Sequence, residues 1–233
     1  TAGVPTTMGG NIGLPILAQD PLPDGGVYVL ELSSYQIDLT QSLDCDVAVL
    51  LNVTPDHLDR YESFEAYRDS KLRLFELQSD DPEHVTIVGV DAVDSWALLE
   101  RRRVFWISDP WPRFKDRHSN WPALRGLHNL ENASCAIDTC IMLGVPPDVI
   151  EEALRTFPGL PHRMERIREK DGVTFVNDSK ATNPTATAPA LAAFPAIRWI
   201  LGGQAKTDDL DECAPHFGHV RSAYTIGEAA GLF

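Results

Sequence analysis

Short apolar runs with little polar alternation recur along this chain. They lie at residues 27–32, 47–53, 85–90, 104–107, 173–178, 197–203 and 222–227. Continuous apolar runs are typical of strands buried on both faces, as in a parallel sheet. Segments with helical periodicity lie between them, at 63–77, 128–143, 148–157 and 184–194. This alternation predicts an α/β fold with a doubly wound, mostly parallel sheet.

A domain boundary is expected near residues 157–163, FPGLPHR. Two prolines and a glycine end a helix there, and the strand–helix alternation then restarts. The pattern therefore predicts one domain over 1–160 and a second over 161–233, the latter Rossmann-like. Residues 109–126 are rich in proline and show no period, so we expect a surface excursion there.

Composition and charge narrow the possible functions. The 233 residues are 43% hydrophobic, which indicates a globular protein. The formal net charge of −14 argues against binding of nucleic-acid phosphates. No apolar run reaches the roughly 18–20 residues that span a bilayer, and the first residues do not resemble a signal peptide. The four cysteines lack zinc spacing, which predicts reduced thiols in a cytoplasmic protein.

Polar or titratable groups follow several of the predicted strands, where ligands bind in open α/β sheets. Glu31 ends the first run, and His57 follows the second. A carboxylate with an imidazole suits Mg²⁺ or Mn²⁺ bound to a phosphate. These two residues predict a metal site at the carboxyl edge of the sheet.

Lys71 falls inside the apolar stripe of the predicted 63–77 helix, one turn from Tyr67 and one turn from Phe75. Burial of an ammonium group is costly, so two interpretations are open. In the first, Lys71 extends its amine to the edge of the apolar surface. In the second, the amine is deprotonated and carbamylated, which makes it an anionic oxygen ligand beside His57 and Glu31.

The segment NDSKATNP, residues 177–184, places an acid, a lysine and hydroxyls in one strand-to-helix turn. Such turns direct side chains and free helix N–H groups at anionic ligands. The alternative is a helix N-cap made by Ser179, Thr182 or Asn183, with Asp178 and Lys180 as a surface ion pair.

Arg163 and the Gly202-Gly203 pair ahead of Lys206 also have two possible interpretations each. Arg163 would clamp a phosphate or tie the two domains together. The glycines would let the backbone approach a ligand or merely end a strand.

Read together, these segments resemble the Mur ligase family. The motifs occur in that family's order and cover nearly the whole chain: GGNIG (9–13), ELSSYQ (31–36), NVTPDHLDR (52–60), YRDSKLR (67–73), HNLEN (128–132), HR (162–163), NDSKATNP (177–184) and GGQAK (202–206). The resemblance implies an ATP-dependent ligase, a cytoplasmic monomer, that adds D-glutamate to UDP-N-acetylmuramoyl-L-alanine through an acyl phosphate during peptidoglycan precursor synthesis. A sister Mur ligase, a ligase like folylpolyglutamate synthetase and a non-catalytic nucleotide-binding module are the alternatives.

The resemblance also implies roles for individual residues. Asn11 would contact the muramoyl substrate and the transferred phosphate. Asn11, His57 and Lys71 would be the catalytic residues. Magnesium, or manganese, would be held by Glu31, His57 and carbamylated Lys71. The remaining contacts would be Ser33 and Gln36 to the muramoyl-alanine group, Asn132, Arg163 and Asp178 to ATP, and Lys180, Thr182 and Lys206 to D-glutamate.

The sequence departs from the family pattern in several places. A glycine-rich phosphate loop ahead of GGNIG, an N-terminal domain for the UDP sugar and the last part of the glutamate domain are not in these 233 residues. The 104–126 region is shorter than the pattern requires. We therefore expect no ATP-dependent ligation from residues 1–233 alone.

Overall fold

The computed structural model describes residues 2–55, 60–89, 103–107, 114, 116–205 and 208–233. Its strands are β1 (Thr6–Gly10), β2 (Val27–Glu31), β3 (Val47–Leu50), β4 (Val85–Gly89), β5 (Arg103–Ile107), β6 (Glu165–Lys170), β7 (Val173–Asn177), β8 (Ile197–Gly202) and β9 (Val220–Ile226). Its α-helices are α1 (Ser34–Leu39), α2 (Phe64–Glu76), α3 (Leu127–Met142), α4 (Pro147–Thr156) and α5 (Pro184–Ala192).

Most strand pairs are parallel, which confirms the predicted α/β class. β1 pairs with β2, β8 pairs with β9, and β3, β4 and β5 form one sheet in that order. The chain divides into two compact units, and each is described by itself: unit 1 is Thr1–Asp109 with Ser134–Ile150, and unit 2 is Pro110–Ala133 with Glu151–Phe233.

The core of unit 1 lies on both faces of the β3–β4–β5 sheet. Val88 packs with Leu72 and Phe75 of α2, while the neighbouring Ile87 packs with Cys135 of α3. Successive residues of a strand point to opposite faces, so the fully buried pair Ile87 and Val88 serves two separate clusters. Helices on both faces of a parallel sheet are the doubly wound arrangement that the apolar runs predict.

The pairing of β7 differs from the prediction. The apolar run at 173–178 was expected to be a parallel, buried strand, but β7 pairs antiparallel with β6, and Val173 and Phe175 are exposed. The chain reverses at Asp171 and Gly172, whose φ angles are 53° and 73°. Two positive φ angles are typical of the tight turn that joins hairpin strands, so a local turn produces an antiparallel pair.

The expectation of a surface excursion over residues 109–126 is wrong for the described part of that stretch. Phe114, Trp121 and Leu124 are buried in unit 2, and Trp121 has no exposed surface. The rings of Phe114 and Trp121 lie 5.6 Å apart. Backbone hydrogen bonds from Arg117 to Phe114 and from Leu124 to Trp121 close tight turns that bring these side chains together. A compact apolar cluster therefore forms without helical or strand periodicity.

The helix termini follow the sequence closely. The Ser63 hydroxyl accepts a hydrogen bond from Ala66 N at the start of α2 (3.2 Å), and Gly144 follows the end of α3 with φ 73°. In the described part of the chain, no helix combines the length and apolar character needed to cross a membrane.

Candidate functional site

The carboxyl ends of β1 and β2 bring Asn11 and Glu31 together. Asn11 N donates to the Glu31 carbonyl (2.7 Å), and Asn11 Nδ2 donates to Glu31 Oε1 (3.3 Å). Gly10 permits this approach, because its φ is 108° and a Cβ atom there would overlap the Glu31 carbonyl oxygen. Both side chains are exposed. Asn11 and Glu31 therefore form an accessible amide–carboxylate pair at this edge of the sheet.

Ser33 and Gln36 form the N-cap of α1. The Ser33 hydroxyl accepts from Gln36 N (3.3 Å), and Gln36 Oε1 accepts from Ser33 N (2.9 Å). This reciprocal arrangement is a capping box, which satisfies backbone donors at the start of a helix. The two predicted substrate contacts thus hold each other in a fixed geometry directly after Glu31.

Lys71 lies on the partly buried side of α2. Tyr67 and Phe75, one turn away in each direction, are buried, and Lys71 itself is half-buried. Its Nζ lies 5.0 Å from the centre of the Tyr67 ring, a cation–π distance. The predicted apolar surroundings of Lys71 are present, together with a polar neighbour, Ser70, on the same helix.

A hydrogen-bond network that the sequence did not predict joins α1 to α2. Tyr61 Oη donates to Asp38 Oδ2 (2.7 Å) and lies 3.2 Å from Ser70 Oγ, which donates to Asp38 Oδ1 (2.6 Å). Arg73 donates to the carbonyls of Ile37 and, at 2.7 Å, Thr40 at the end of α1. We call Asp38, Tyr61, Ser70 and Arg73 the α1–α2 network. It fixes the helix that carries Gln36 against the helix that carries Lys71.

Two of the predicted site residues, His57 and Lys206, lie outside the described residues. In the ranges that the structure describes, no group of three or more His, Cys, Asp and Glu side chains is arranged to hold a metal ion.

In unit 2, Asp178 sits half-buried in the loop after β7. Its Oδ1 accepts a hydrogen bond from Met164 N (2.9 Å). Burial raises the pKa of this carboxyl, while the Met164 hydrogen bond and the positive charges of His128 and Arg163 oppose the rise. The charge of Arg163 therefore acts on Asp178.

His128, in the first turn of α3, is a neighbour of Asp178 that the sequence analysis did not select. Burial lowers the pKa of its imidazole, and Asp178 acts in the opposite direction. The ring also lies close to Gly126, where a Cβ atom would come within 2.7 Å of His128 Cε1. The signal was present in the HNLEN motif, of which only Asn132 was selected. Asn132 is exposed on the same helix.

The loop between β7 and α5 presents Lys180 and Thr182 to solvent. Asn183 is the N-cap of α5, and its Oδ1 accepts from Ala186 N (2.7 Å). The capping interpretation is therefore correct for Asn183, which leaves Lys180 and Thr182 exposed just ahead of the helix.

Gly202 ends β8 against the backbone of β9. Its φ is 130°, and a Cβ atom there would overlap the carbonyl oxygen of Ile226. Of the two interpretations of this glycine pair, the strand-end one accounts for Gly202.

Two known protein-family models match this chain. A model of the Mur ligase middle domain matches residues 1–107, and a model of the Mur ligase glutamate ligase domain matches residues 162–232. The two matches together cover more than half of the chain.

The chain belongs to the Mur ligase family.

Its relatives include two proteins named UDP-N-acetylmuramoylalanine--D-glutamate ligase. The protein of Zymomonas mobilis is 56% identical over 229 residues, which are 98% of this chain and 52% of that protein. The protein of Novosphingobium aromaticivorans is 56% identical over 238 residues, covering 100% of this chain and 53% of that protein. This Mur ligase chain thus spans about half the length of the curated relatives it matches.

Two solved structures of lower sequence identity share the fold. MurF from Acinetobacter baumannii gives a TM-score of 0.65 at 15% identity, over 98% of this chain and 63% of that chain. The apo form of L. casei FPGS gives 0.60 at 14% identity, over 86% of this chain and 55% of that chain. The predicted Mur ligase fold is therefore confirmed.

Proposed function

We propose that this Mur ligase chain is part of an ATP-dependent ligase that joins D-glutamate to UDP-N-acetylmuramoyl-L-alanine in peptidoglycan precursor synthesis. The observation that carries the proposal is the 56% identity, over nearly the whole chain, to relatives named for that reaction. Because the chain spans about half of those relatives, the activity is proposed for the complete ligase that contains it.

The reaction would proceed in two steps. The alanine carboxylate attacks the γ-phosphorus of ATP, an O–P bond forms, and ADP leaves. The amine of D-glutamate then attacks the acyl carbon, loses a proton and expels inorganic phosphate, which leaves an amide. Positive charge must reach the phosphoryl oxygens locally, because the chain as a whole carries −14.

In unit 1, Asn11 would orient the muramoyl substrate and its transferred phosphate. The amide is exposed, and its contact with Glu31 fixes its direction. Ser33 and Gln36 would contact the muramoyl-alanine group from the start of α1, where their capping box limits side-chain motion.

The donor chemistry at this edge suits Mg²⁺, with Mn²⁺ as an alternative. The exposed Glu31 carboxylate offers hard oxygen atoms, and we assign His57 and carbamylated Lys71 as further ligands. When bound, the ion would neutralise negative charge on the phosphate oxygens. Carbamylation would exchange the ammonium beside the Tyr67 ring for an anionic oxygen donor.

In unit 2, Asn132, Arg163 and Asp178 would bind ATP. The support is the interaction of Asp178 with Arg163 and with His128 on the helix of Asn132. Lys180 and Thr182, exposed just ahead of α5, would receive D-glutamate together with Lys206. The positive end of the α5 dipole, which lies at that helix start, favours a carboxylate.

The same proposal includes a monomeric, cytoplasmic enzyme with an ATP-binding domain over 1–160 and an amino-acid-binding domain over 161–233. The separate family matches on either side of that boundary support the division.

Phosphate release by the complete ligase tests the function. We expect release that needs ATP, UDP-N-acetylmuramoyl-L-alanine and D-glutamate together, with L-glutamate, glycine and meso-diaminopimelate inactive. Release with another amino acid instead would identify a sister ligase. Nucleotide binding without release under any condition would identify a non-catalytic module and overturn the proposal.

Intact mass in bicarbonate buffer tests the modification of Lys71. We expect a labile adduct of about 44 Da, the mass of carbon dioxide, that disappears on acidification. Lys71→Arg should abolish the adduct, whereas the control Lys170→Arg, at an exposed lysine of β6, should retain it. An adduct that survives Lys71→Arg would place the modification elsewhere.

A further inference from the structure

Arg163 lies between two residues in an unfavourable backbone conformation. The φ angles of His162 and Met164 are 63° and 48°, in the left-handed region that favours glycine. We call His162, Arg163 and Met164 the 162–164 turn. Two such residues within three positions persist only where the surrounding structure imposes the conformation. The turn must therefore be held by contacts outside itself.

Four hydrogen bonds hold the backbone of this turn. Arg163 N donates to the carbonyl of Leu160 (3.2 Å). His162 N donates to Glu165 Oε2 (2.8 Å), and Met164 N donates to Asp178 Oδ1 (2.9 Å). Lys180 N donates to the carbonyl of His162 (3.0 Å). Two of the four bonds reach the loop after β7, so the 162–164 turn and the segment that carries Asp178 and Lys180 are tied together.

Asn177 links the side chains that support the turn. It is the last residue of β7 and the register partner of Glu165 in β6. Its Oδ1 accepts from Ser179 N (3.1 Å), which assigns Nδ2 to the opposite side. Nδ2 lies 2.8 Å from His162 Nδ1 and 3.3 Å from Glu165 Oε2. One amide thus bonds the imidazole and the carboxylate that stand at the two ends of the turn.

The orientation of Asn177 also assigns the direction of its hydrogen bond to the His162 ring. Because Nδ2 can only donate, His162 Nδ1 accepts. Arg163, directly between the two strained residues, is exposed, and its positive charge acts on Asp178.

We propose that Asn177 and Glu165 are positioning residues, which impose the 162–164 turn so that Arg163 and Asp178 are held ready for the nucleotide. The proposal rests on the assignment of Arg163 and Asp178 to ATP in the proposed function. Neither Asn177 nor Glu165 contacts the nucleotide in this proposal. Their loss should weaken ATP binding through the geometry of Arg163 and should leave the chemical step unaffected.

Hydrogen exchange in the complete ligase tests whether Asn177 holds the turn. In Asn177→Ala, we expect faster exchange of the Lys180 and Met164 amides, which donate into the turn and its loop. Asn120→Ala, at an exposed asparagine of unit 2, is the control and should leave both amides unchanged. Unaltered protection of both amides in Asn177→Ala would overturn the proposed support.

Steady-state kinetics of the complete ligase test the link to the nucleotide. Asn177→Ala and Met164→Val should each raise the KM for ATP about tenfold with kcat within about twofold, because a misplaced charged hydrogen bond weakens binding. In contrast to Met164→Val, Met164→Gly should keep the wild-type KM for ATP, because glycine adopts the same φ without strain.

Asp171→Val provides the matched strain control. Asp171 has a φ of 53° and lies where β6 and β7 join, at the other end of β6 from the 162–164 turn. Valine there should therefore introduce similar backbone strain without changing the KM for ATP. An equal rise in Asp171→Val would show a general effect of instability and contradict the positioning role, as would an unchanged KM in Asn177→Ala. Failure of the proposed function is separate, because the wild-type ligase would then release no phosphate while the exchange measurement still reports on the turn.

Discussion

Burial acts in opposite senses on two neighbouring side chains of unit 2. It raises the pKa of the Asp178 carboxyl and lowers that of the His128 imidazole, because in each case the charged form loses solvation. Each group opposes the shift of the other. The free energy of unfolding should therefore depend on pH through this pair.

His128 should make the chain less stable in mild acid. Its pKa is lower in the folded state, so its contribution is complete above the ordinary histidine pKa of about 6.5 and is lost as the pH falls through the folded value. Asp178, with a raised pKa, loses its contribution as the pH rises, so it does not cause a loss in acid. Urea unfolding measures this effect. Between about pH 7.5 and about pH 5.5, the free energy of unfolding should fall less in His128→Gln than in the wild type. His216→Gln, in the same unit, is the control and should behave as the wild type.

The cysteines should differ in their reactivity. Burial raises the pKa of the Cys135 thiol to about 11, so roughly one thiol in a thousand is ionised at pH 8. Cys213 has no exposed surface, whereas Cys45 and Cys140 are half-buried. Mass spectrometry after iodoacetamide treatment should show Cys45 and Cys140 modified first in the native chain, and all four at similar rates in urea. Early modification of Cys135 would contradict its burial.

At the scale of elements, the contact between α1 and α2 depends on a polar network. Tyr61→Phe removes the hydroxyl that bonds Asp38 and Ser70, and should lower the free energy of unfolding by about 1–2 kcal/mol, since one partner is a charged carboxylate. Tyr224→Phe, at an exposed tyrosine of β9, removes a hydroxyl without that network and should have little effect. Equal losses in the two variants would show that the α1–α2 network adds nothing.

The start of α2 offers a simpler test. Ser63→Ala removes the acceptor for Ala66 N and should cost about 1 kcal/mol, whereas Ser63→Asp keeps a capping oxygen and should retain most of the stability. Chemical unfolding of the two variants measures the difference, and similar stabilities would argue against the cap.

Elements with a strong period were predictable from the sequence, and the others were not. The apolar runs predicted β2–β5, β8 and β9, and the four longer helices begin and end within two residues of expectation. β1, with the sequence TTMGG, and β6, with ERIREK, carry no apolar run, because each borders solvent along much of its length. α1 has six residues and was missed because a single turn and a half shows no period.

The site was predictable only where strand ends decide it. Glu31 was expected at the carboxyl edge because it ends an apolar run. Asn11 follows β1, which carries no apolar run, so only the family resemblance pointed to it, and the two residues meet because β1 and β2 are parallel neighbours that end at the same edge. Asp38 and Ser70 are 32 residues apart and meet through the packing of two helices, which no spacing in the sequence indicates. The same holds for Asn177 and His162, whose contact depends on an antiparallel hairpin that was expected to be a parallel strand.

At the scale of the whole molecule, the charge of −14 should make stability depend on salt. Like charges repel one another in the compact state. At 0.1 M salt, ions screen the repulsion between exposed charges that are more than about 10 Å apart. The melting temperature should rise between about 20 mM and about 300 mM sodium chloride. The triple variant Glu62→Lys, Glu76→Lys, Asp80→Lys changes three exposed acids and brings the net charge to −8. Its melting temperature should respond less to salt, and an equal response would exclude repulsion as the cause.

The glycine that ends β1 has a consequence for how this protein can change over generations. Every single-nucleotide change to a glycine codon that alters the residue adds a side chain, and any Cβ atom at Gly10 would overlap the Glu31 carbonyl. No one-step replacement at this position can keep both the backbone hydrogen bond to Asn11 and the direction of the Glu31 carboxylate. Gly10 is therefore difficult to replace by a single mutation. A lineage that lost it would need further changes to rebuild the edge of the sheet at which Asn11 and Glu31 meet.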